Sequence, residues 1–191
     1  MFRIFISEKL TDSRENITLH RSFFILLFKH LTFVGQRACY RTALELCKRL
    51  LTLDSDNDPL CATLMIDFYA LKSNEYKWLI DLFNFWEPIK NLSQLPNFAY
   101  SAALASQLLY LESQNPGPKE KIKSKEGASN KHTRSMTKEE LEELSRTSDK
   151  LLQYALLMFP SVLRPLMDKC SIQGDSRSSS HPYFNCISPN A

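Results

Sequence analysis

Residues 40–50 of the chain read YRTALELCKRL, and residues 76–86 read YKWLIDLFNFW. Both stretches start with tyrosine and then carry four apolar side chains at i, i+3, i+4 and i+7, a spacing that places them on one face of an α-helix. The first stretch puts Ala43, Leu46, Cys47 and Leu50 on that face, and the second puts Leu79, Leu82, Phe83 and Trp86 there. The offset of 36 residues is typical of tetratricopeptide-like stacks, in which each unit is a pair of helices.

A third copy of the pattern follows 73 residues later, at Leu152, Ala155, Leu156 and Phe159. We therefore expect three helical hairpins, made of residues 20–35 with 37–53, 59–72 with 75–87, and 96–112 with 137–159. One hairpin cannot bury its apolar face alone, so neighbouring hairpins stack. The predicted fold is all-α, a degenerate tetratricopeptide-like α-solenoid of about 6–7 helices. The chain has only four glycines, which also favours helices over tight-turned sheets.

The remaining helices have predicted buried faces and predicted ends. The first helix should bury Phe24, Leu27, Phe28 and Leu31, and the third should bury Cys61, Leu64, Met65 and Phe68. Asp58 should accept hydrogen bonds from the free N–H groups of the third helix, with Pro59 in its first turn. Pro88 should close the fourth helix, because proline cannot continue the hydrogen-bond ladder. Small residues of the fifth helix should allow close approach of a neighbour: Ala102, Ala103 and Ala105.

The chain divides into five predicted segments. A frayed N-terminal segment (1–18) precedes the first part of the helical-repeat domain (19–112), and a disordered basic loop (113–136) precedes its second part (137–170). A disordered, serine-rich tail (171–191) follows. Thr137 and Glu140 have the spacing of a capping box at the start of the long sixth helix.

The basic loop is the one strongly charged part of the sequence. Residues 119–138 hold seven lysines and arginines against two glutamates, whereas the whole chain carries +3. Clustered positive charge of this kind fits a solvated linker, a nuclear address or a contact with ribosomal RNA, and direct contact with nucleic acid is expected only here. The rest of the chain is close to neutral and does not predict a nucleic-acid-binding surface.

No catalytic, cofactor or metal site is predicted. The five cysteines lack the two-residue spacing of zinc or redox motifs, and Cys39, Cys47 and Cys61 are expected to be buried as small apolar groups. Asp54, Asp56 and Asp58 alternate as in a calcium loop, but that loop needs glycine and glutamate where Pro59 and Met65 stand. The four histidines are scattered, and no glycine-rich loop could bind a phosphate. An enzyme is therefore not expected.

The sequence also bears on where the protein works. The apolar run from Phe23 is interrupted by Lys29 and His30, so it falls short of the ~20 residues needed to cross a bilayer. Met1–Ile6 has no long apolar stretch and no small-residue cleavage site, so no signal peptide is expected. An odd number of cysteines without a disulfide pattern is typical of a reducing compartment. These features predict a protein of the cytosol and nucleus.

Several blocks of sequence, in order, resemble a known family. They are RACYRTALELCKRLLTLDSDNDPLCATLMIDFYAL (37–71), EYKWLIDLF (75–83), NLSQLPNFAYS (91–101), ALLMFPSVLRPLMDKCS (155–171) and SSHPYF (179–184). Together they resemble the central to C-terminal part of the transcription factor 25 family, also called nuclear localised protein one and, in yeast, ribosome quality control complex subunit one. Members of that family are much longer and carry a lysine-rich N-terminal region, so the chain is expected to be a fragment.

The resemblance implies a non-enzymatic scaffold. It implies a component of ribosome quality control that aids ubiquitination and extraction of stalled nascent chains on large ribosomal subunits. The implied partners are the large ribosomal subunit, the Listerin ubiquitin ligase and the valosin-containing unfoldase, with no membrane partner and no cofactor. The alternative that the family also implies is a nuclear transcriptional repressor acting through protein–protein contacts.

Four residues are candidate partner contacts. Trp78 lies off the stripe marked by Leu79 and Phe83, so it is the aromatic residue most expected to be exposed and to touch a partner, but a place in the core is the favoured interpretation. Asn91, Gln94 and Asn97 are the other candidates and lie in the most distinctive block of the family resemblance.

Overall fold

The structure, a computed structural model, describes residues 14–114 and 138–186. Within these ranges every regular element is helical, so the predicted all-α class is confirmed. The elements are α1 (Arg14–Gln36), α2 (Tyr40–Leu53), α3 (Thr63–Lys72), α4 (Tyr76–Lys90), a 3₁₀ turn (Leu92–Gln94), α5 (Pro96–Gln114), α6 (Lys138–Met158), α7 (Pro160–Lys169), α8 (Ser176–Ser180) and α9 (Pro182–Cys186).

The chain forms two compact units, Met1–Leu79 and Ile80–Ala191. The predicted pairs of α1 with α2, in the first unit, and of α5 with α6, in the second, are in contact. The boundary between the units falls inside α4. The second predicted hairpin (59–72 with 75–87) and a continuous solenoid stack therefore remain predictions.

The first unit has its core between α1, α2 and α3. The buried side chains of α2 include Leu44, Cys47 and Leu51, and α2 contacts both α1 and α3. Gly35 allows a close approach of α3 to α1: a Cβ atom at this position would lie 2.5 Å from the hydroxyl oxygen of Tyr69. A side chain at residue 35 would therefore displace a tyrosine that is itself buried.

The start and the buried face of α3 differ from the prediction. The Asp58 carboxylate accepts hydrogen bonds from the backbone N–H groups of Ala62 (2.8 Å) and Thr63 (2.9 Å), as predicted. However, residues 59–62 form turns, and the helix begins at Thr63 rather than at Pro59.

The prediction that Cys61, Leu64 and Phe68 are buried is wrong. Leu64 and Phe68 are 55% and 48% exposed, Cys61 is exposed too, and Met65 is half-buried. The face turned inwards instead carries Ala62, Thr63, Ile66, Asp67, Tyr69 and Ala70. The helix is apolar almost all round, so periodicity does not identify its inner face. Three side chains of that inner face, those of Ala62, Thr63 and Ala70, are small and allow a closer backbone approach than Leu64 or Phe68 would.

Two helix ends also lie beyond their predicted positions. Helix α4 continues through Pro88 to Lys90, so the prediction that Pro88 closes it is wrong. Proline this close to the C-terminus removes a single hydrogen bond, and the chain leaves the helix only at Asn91, whose φ is +49°. Helix α1 begins at Arg14, six residues before His20, where the apolar period becomes visible.

The second unit is organised around α5. Ala102, Ala103 and Ala105 are buried as predicted, and such small side chains let α6 approach closely. Ser148 of α6 donates a hydrogen bond of 3.0 Å to the carbonyl of Ala103. Tyr100 donates one of 3.0 Å to the carbonyl of Phe159, where α6 ends. Burial raises the pKa of Tyr100, so the phenol remains a donor.

The buried face of α6 and the C-terminal segment differ in part from the sequence predictions. Leu152 of α6 is exposed, contrary to its place on the predicted stripe, while Ala155 on the same stripe is buried. Two short helices, α8 and α9, occupy part of the segment from Ser171 for which the sequence predicted disorder. The hydroxyl of Tyr183 in α9 donates to the carbonyl of Leu156 in α6. The predicted frayed segment up to residue 13, the predicted loop from residue 115, and the predicted cap at Thr137 lie outside the described residues.

Candidate functional site

Trp78 lies in the first unit and is partly exposed. The ammonium of Lys48 sits 4.2 Å from the centre of its indole ring, a cation–π distance. Through this contact Lys48 of α2 reaches the start of α4. The Lys48 ammonium also lies 2.7 Å from the carboxylate of Glu45 on its own helix. Trp78 therefore presents one part of its ring to solvent while another part covers a lysine.

The other three candidates lie in the second unit: Asn91 and Gln94 on the connection between α4 and α5, and Asn97 in the first turn of α5. The Glu87 carboxylate accepts hydrogen bonds from the backbone N–H of Ser93 (2.8 Å) and from the Ser93 hydroxyl. Leu92 and Phe98 are fully buried and anchor the two ends of the connection. The result is a fixed turn that leaves Asn91 and Gln94 exposed.

Asn97 is only half-buried within the first turn of α5. Asn91 itself adopts a left-handed backbone conformation, which asparagine tolerates better than most residues. The turn thus displays the amide side chains of Asn91 and Gln94 on a rigid frame. An amide can donate and accept hydrogen bonds, so these two side chains are suited to reading backbone groups of a partner.

A groove that the sequence did not predict crosses the second unit. It has a volume of about 340 Å³ and lies between α4, α5 and α6. Its lining residues are Ile80, Phe83, Asn84, Ala102, Ser106, Glu140, Glu143, Leu144, Thr147 and Leu151. The sequence signal that could have identified it is the pair of small residues Ala102 and Ser106, one turn apart on α5, which leave a space that larger side chains would fill.

The described residues show which chemistry is available. Residues 14–114 and 138–186 contain no group of three or more His, Cys, Asp or Glu side chains placed to hold a metal ion. In the same ranges, no helix is both long and apolar enough to span a membrane. The groove lining contains no histidine, cysteine or lysine. Its floor is apolar, and carboxylates lie at one side.

The cysteines correct one prediction and provide a test of the structure. Cys39, before α2, and Cys61, in the turn before α3, are exposed rather than buried, whereas Cys47 is buried as predicted. The Cys47 thiol donates a weak hydrogen bond (3.5 Å) to the carbonyl of Ala62. Burial, together with the negative charges of Asp58 and Asp67, raises the pKa of Cys47 to about 12.

We expect Cys47 to resist alkylation in the native chain. At about pH 8 its thiol stays protonated, and only the thiolate is a nucleophile. Peptide mapping by mass spectrometry after iodoacetamide treatment should show Cys39, Cys61 and Cys170 modified first, with Cys47 at least roughly tenfold slower. In denaturant the four should react at similar rates. Equal rates in the native chain would mean that Cys47 is not buried between α2 and α3.

Comparison with known proteins decides the family. A family profile described as transcriptional repressor TCF25 matches residues 16–191. The chain belongs to the Tcf25 family. This confirms the resemblance that the sequence blocks indicated, and the match includes the 91–101 block that forms the turn with Asn91 and Gln94.

Individual members of the Tcf25 family give the same result. The ribosome quality control complex subunit TCF25 of Homo sapiens is 42% identical over 174 residues, which are 90% of this chain and 22% of the relative. The protein of the same name from Dictyostelium discoideum is 43% identical over 155 residues, 78% of this chain and 19% of the relative. A probable transcription factor, claV of Ampulloclitocybe clavipes, is 30% identical over 176 residues, 86% of this chain and 19% of the relative.

The chain spans about a fifth of the length of the Tcf25-family relatives that it matches. These relatives are named as complex subunits or transcription factors, and none of the three names describes an enzyme. No solved structure matches the chain at a significant level.

Proposed function

We propose that the chain is a non-enzymatic helical scaffold of ribosome quality control, which helps the ubiquitination and extraction of stalled nascent chains on large ribosomal subunits. The observation that carries the proposal is the similarity, over 78–90% of the chain, to relatives named as subunits of the ribosome quality control complex. A subunit of a complex must bind proteins, and helical hairpins provide extended surfaces for that purpose. The partners are the large ribosomal subunit, the Listerin ubiquitin ligase and the valosin-containing unfoldase.

Exposed apolar side chains support a binding role. Phe85 and Ile89 lie one turn apart on α4, and about two-thirds of each is exposed. They immediately precede the turn that presents Asn91 and Gln94. Apolar side chains surrounded by hydrogen-bonding groups are the usual composition of the centre and rim of protein interfaces. We propose that Trp78, Asn91, Gln94 and Asn97 contact protein partners, in the cytosol and in the nucleus.

A second function is favoured by a specific observation. The family profile is described as a transcriptional repressor, and the relative from Ampulloclitocybe clavipes is named as a probable transcription factor. The alternative is therefore a nuclear regulator that acts through protein–protein contacts. The two functions place the chain in different complexes and can be separated by fractionation.

The test is sedimentation of the tagged chain from cells lysed at physiological salt. We expect it to co-migrate with large ribosomal subunits on a sucrose gradient and to release them when washed with high salt. Recovery with chromatin alone would overturn ribosome quality control in favour of the nuclear function. Recovery of ubiquitinated nascent chains after induced stalling would support the first function further.

A surface variant makes the same test specific. Asn91→Gly keeps the left-handed backbone while removing the amide, and Gln94→Ala removes the second amide of the turn. Each lost hydrogen bond should reduce the bound fraction by about two- to tenfold. The matched control is Gln153→Ala on α6, an exposed glutamine whose loss should leave sedimentation unchanged. If Gln153→Ala reduced the bound fraction as much as Asn91→Gly or Gln94→Ala does, the turn would not belong to the partner-binding surface.

A further inference from the structure

The groove of the second unit exists because of the small residues of α5. Ala102 and Ser106 are both buried and form part of the lining, and the Ser106 hydroxyl turns back to the carbonyl of Ala102 (2.9 Å) instead of projecting outward. Phe83 of α4 and Leu144 and Leu151 of α6 provide the apolar walls. Leu144 and Leu151 are half-buried, so the groove presents them to whatever enters it.

The rim of the groove is acidic. Glu140 and Glu143 line it and are exposed, and the described lining residues include no lysine or arginine. Their neighbours Glu139 and Glu142 do not line the groove, and Glu142 lies 3.7 Å from Arg146 one turn along. Glu140 is in the first turn of α6, where negative charge suits the helix dipole, but Glu143 lies beyond that turn. The dipole therefore does not account for the acidic rim as a whole.

We propose that this groove binds a basic amphipathic helix of a partner protein. One or two large apolar side chains of that helix would lie against Phe83, Leu144 and Leu151. Lysines or arginines a turn apart on the helix would meet Glu140 and Glu143, which are themselves three residues apart. This helix-in-groove recognition is a common mode of peptide binding. The proposal goes beyond ribosome quality control, because it holds whichever complex the chain belongs to.

The size of the groove favours a peptide over a small ligand. A volume of about 340 Å³ is at the low end of the ~300–1,000 Å³ that small-molecule pockets occupy. It accepts a side chain or two, whereas the rest of a helix would remain on the surface in reach of the glutamates. The charge of the rim then selects a cationic partner, because like charges across an interface are strongly disfavoured.

The test is fluorescence anisotropy with the whole chain and a labelled amphipathic peptide of leucine and lysine. We expect saturable binding that weakens as salt rises above about 0.15 M. The counterpart peptide of leucine and glutamate should not bind. The double variant Glu140→Gln with Glu143→Gln should weaken binding roughly five- to thirtyfold, whereas Glu139→Gln with Glu142→Gln, of equal charge change outside the lining, should change it less than about twofold.

A second pair of variants separates the groove from general surface charge. Thr147 is exposed and lines the groove, so Thr147→Lys should abolish binding without unfolding the chain. Gln153→Lys, on the same helix but outside the lining, should bind as the unmodified chain does. Equal binding by all variants, or equal binding of the glutamate peptide, would overturn the proposal. A third outcome would also overturn the proposal. If a free peptide of residues 118–135 displaced the labelled probe with the same potency as the unlabelled leucine–lysine peptide, the chain's own basic segment would be the occupant of the groove.

Discussion

Replacing Phe98 by alanine should lower the free energy of unfolding of the second unit by about 3–5 kcal/mol. The Phe98 ring is completely buried at the start of α5 and anchors the turn that presents Asn91 and Gln94. Its removal loses the transfer free energy of a large apolar side chain and leaves a cavity that the surrounding helices fill only in part. With a urea m value of roughly 2 kcal/mol/M, the midpoint should fall by about 1.5–2.5 M, as measured by circular dichroism at helix wavelengths.

The matched control is Phe85→Ala in the same unit. The same atoms are removed, but the Phe85 side chain is 68% exposed, so the change should stay within about 0.5 kcal/mol. A large loss at Phe85 with none at Phe98 would show that the turn between α4 and α5 is wrongly placed. The two variants also separate stability from binding, because only Phe85 belongs to the exposed surface beside the turn.

The helical class and most helix positions could be predicted because they depend on local spacing. The i, i+3, i+4, i+7 pattern of α2 and the small residues of α5 are visible in any window of the sequence, and both lead to buried residues in the structure. Which face of α3 turns inward could not be predicted. That choice depends on which side chains fit between neighbouring helices, and seven of the ten residues of α3 are apolar and spread around the helix.

The candidate site shows the same division. That Trp78 lies off the apolar stripe is a local property, but the residue is only half-buried, and Phe85, at 68% exposed, is more exposed than Trp78, contrary to the expectation from the stripe. The distinctive block around Asn91 and Gln94 could be identified from resemblance, but its rigid turn depends on Glu87 bonding to Ser93 six residues on. The groove brings together residues of α4, α5 and α6 that are far apart in sequence. The small residues Ala102 and Ser106 of α5 are visible in the sequence, but the helices that face them are not.

Two leucines of the first unit test the structure against the sequence pattern directly. Leu44 lies outside the predicted stripe of α2 but is 1% exposed, because α2 contacts both α1 and α3 and therefore buries more than one stripe. Leu64 lies on the predicted stripe of α3 but is 55% exposed. The structure predicts that Leu44→Ala costs about 2–5 kcal/mol and Leu64→Ala less than about 0.5 kcal/mol, measured by urea unfolding. The sequence pattern alone predicts the opposite order. Because the two substitutions remove identical atoms, differences in side-chain chemistry cannot explain the result, and a larger cost at Leu64 would show that α3 is turned with its other face towards α2.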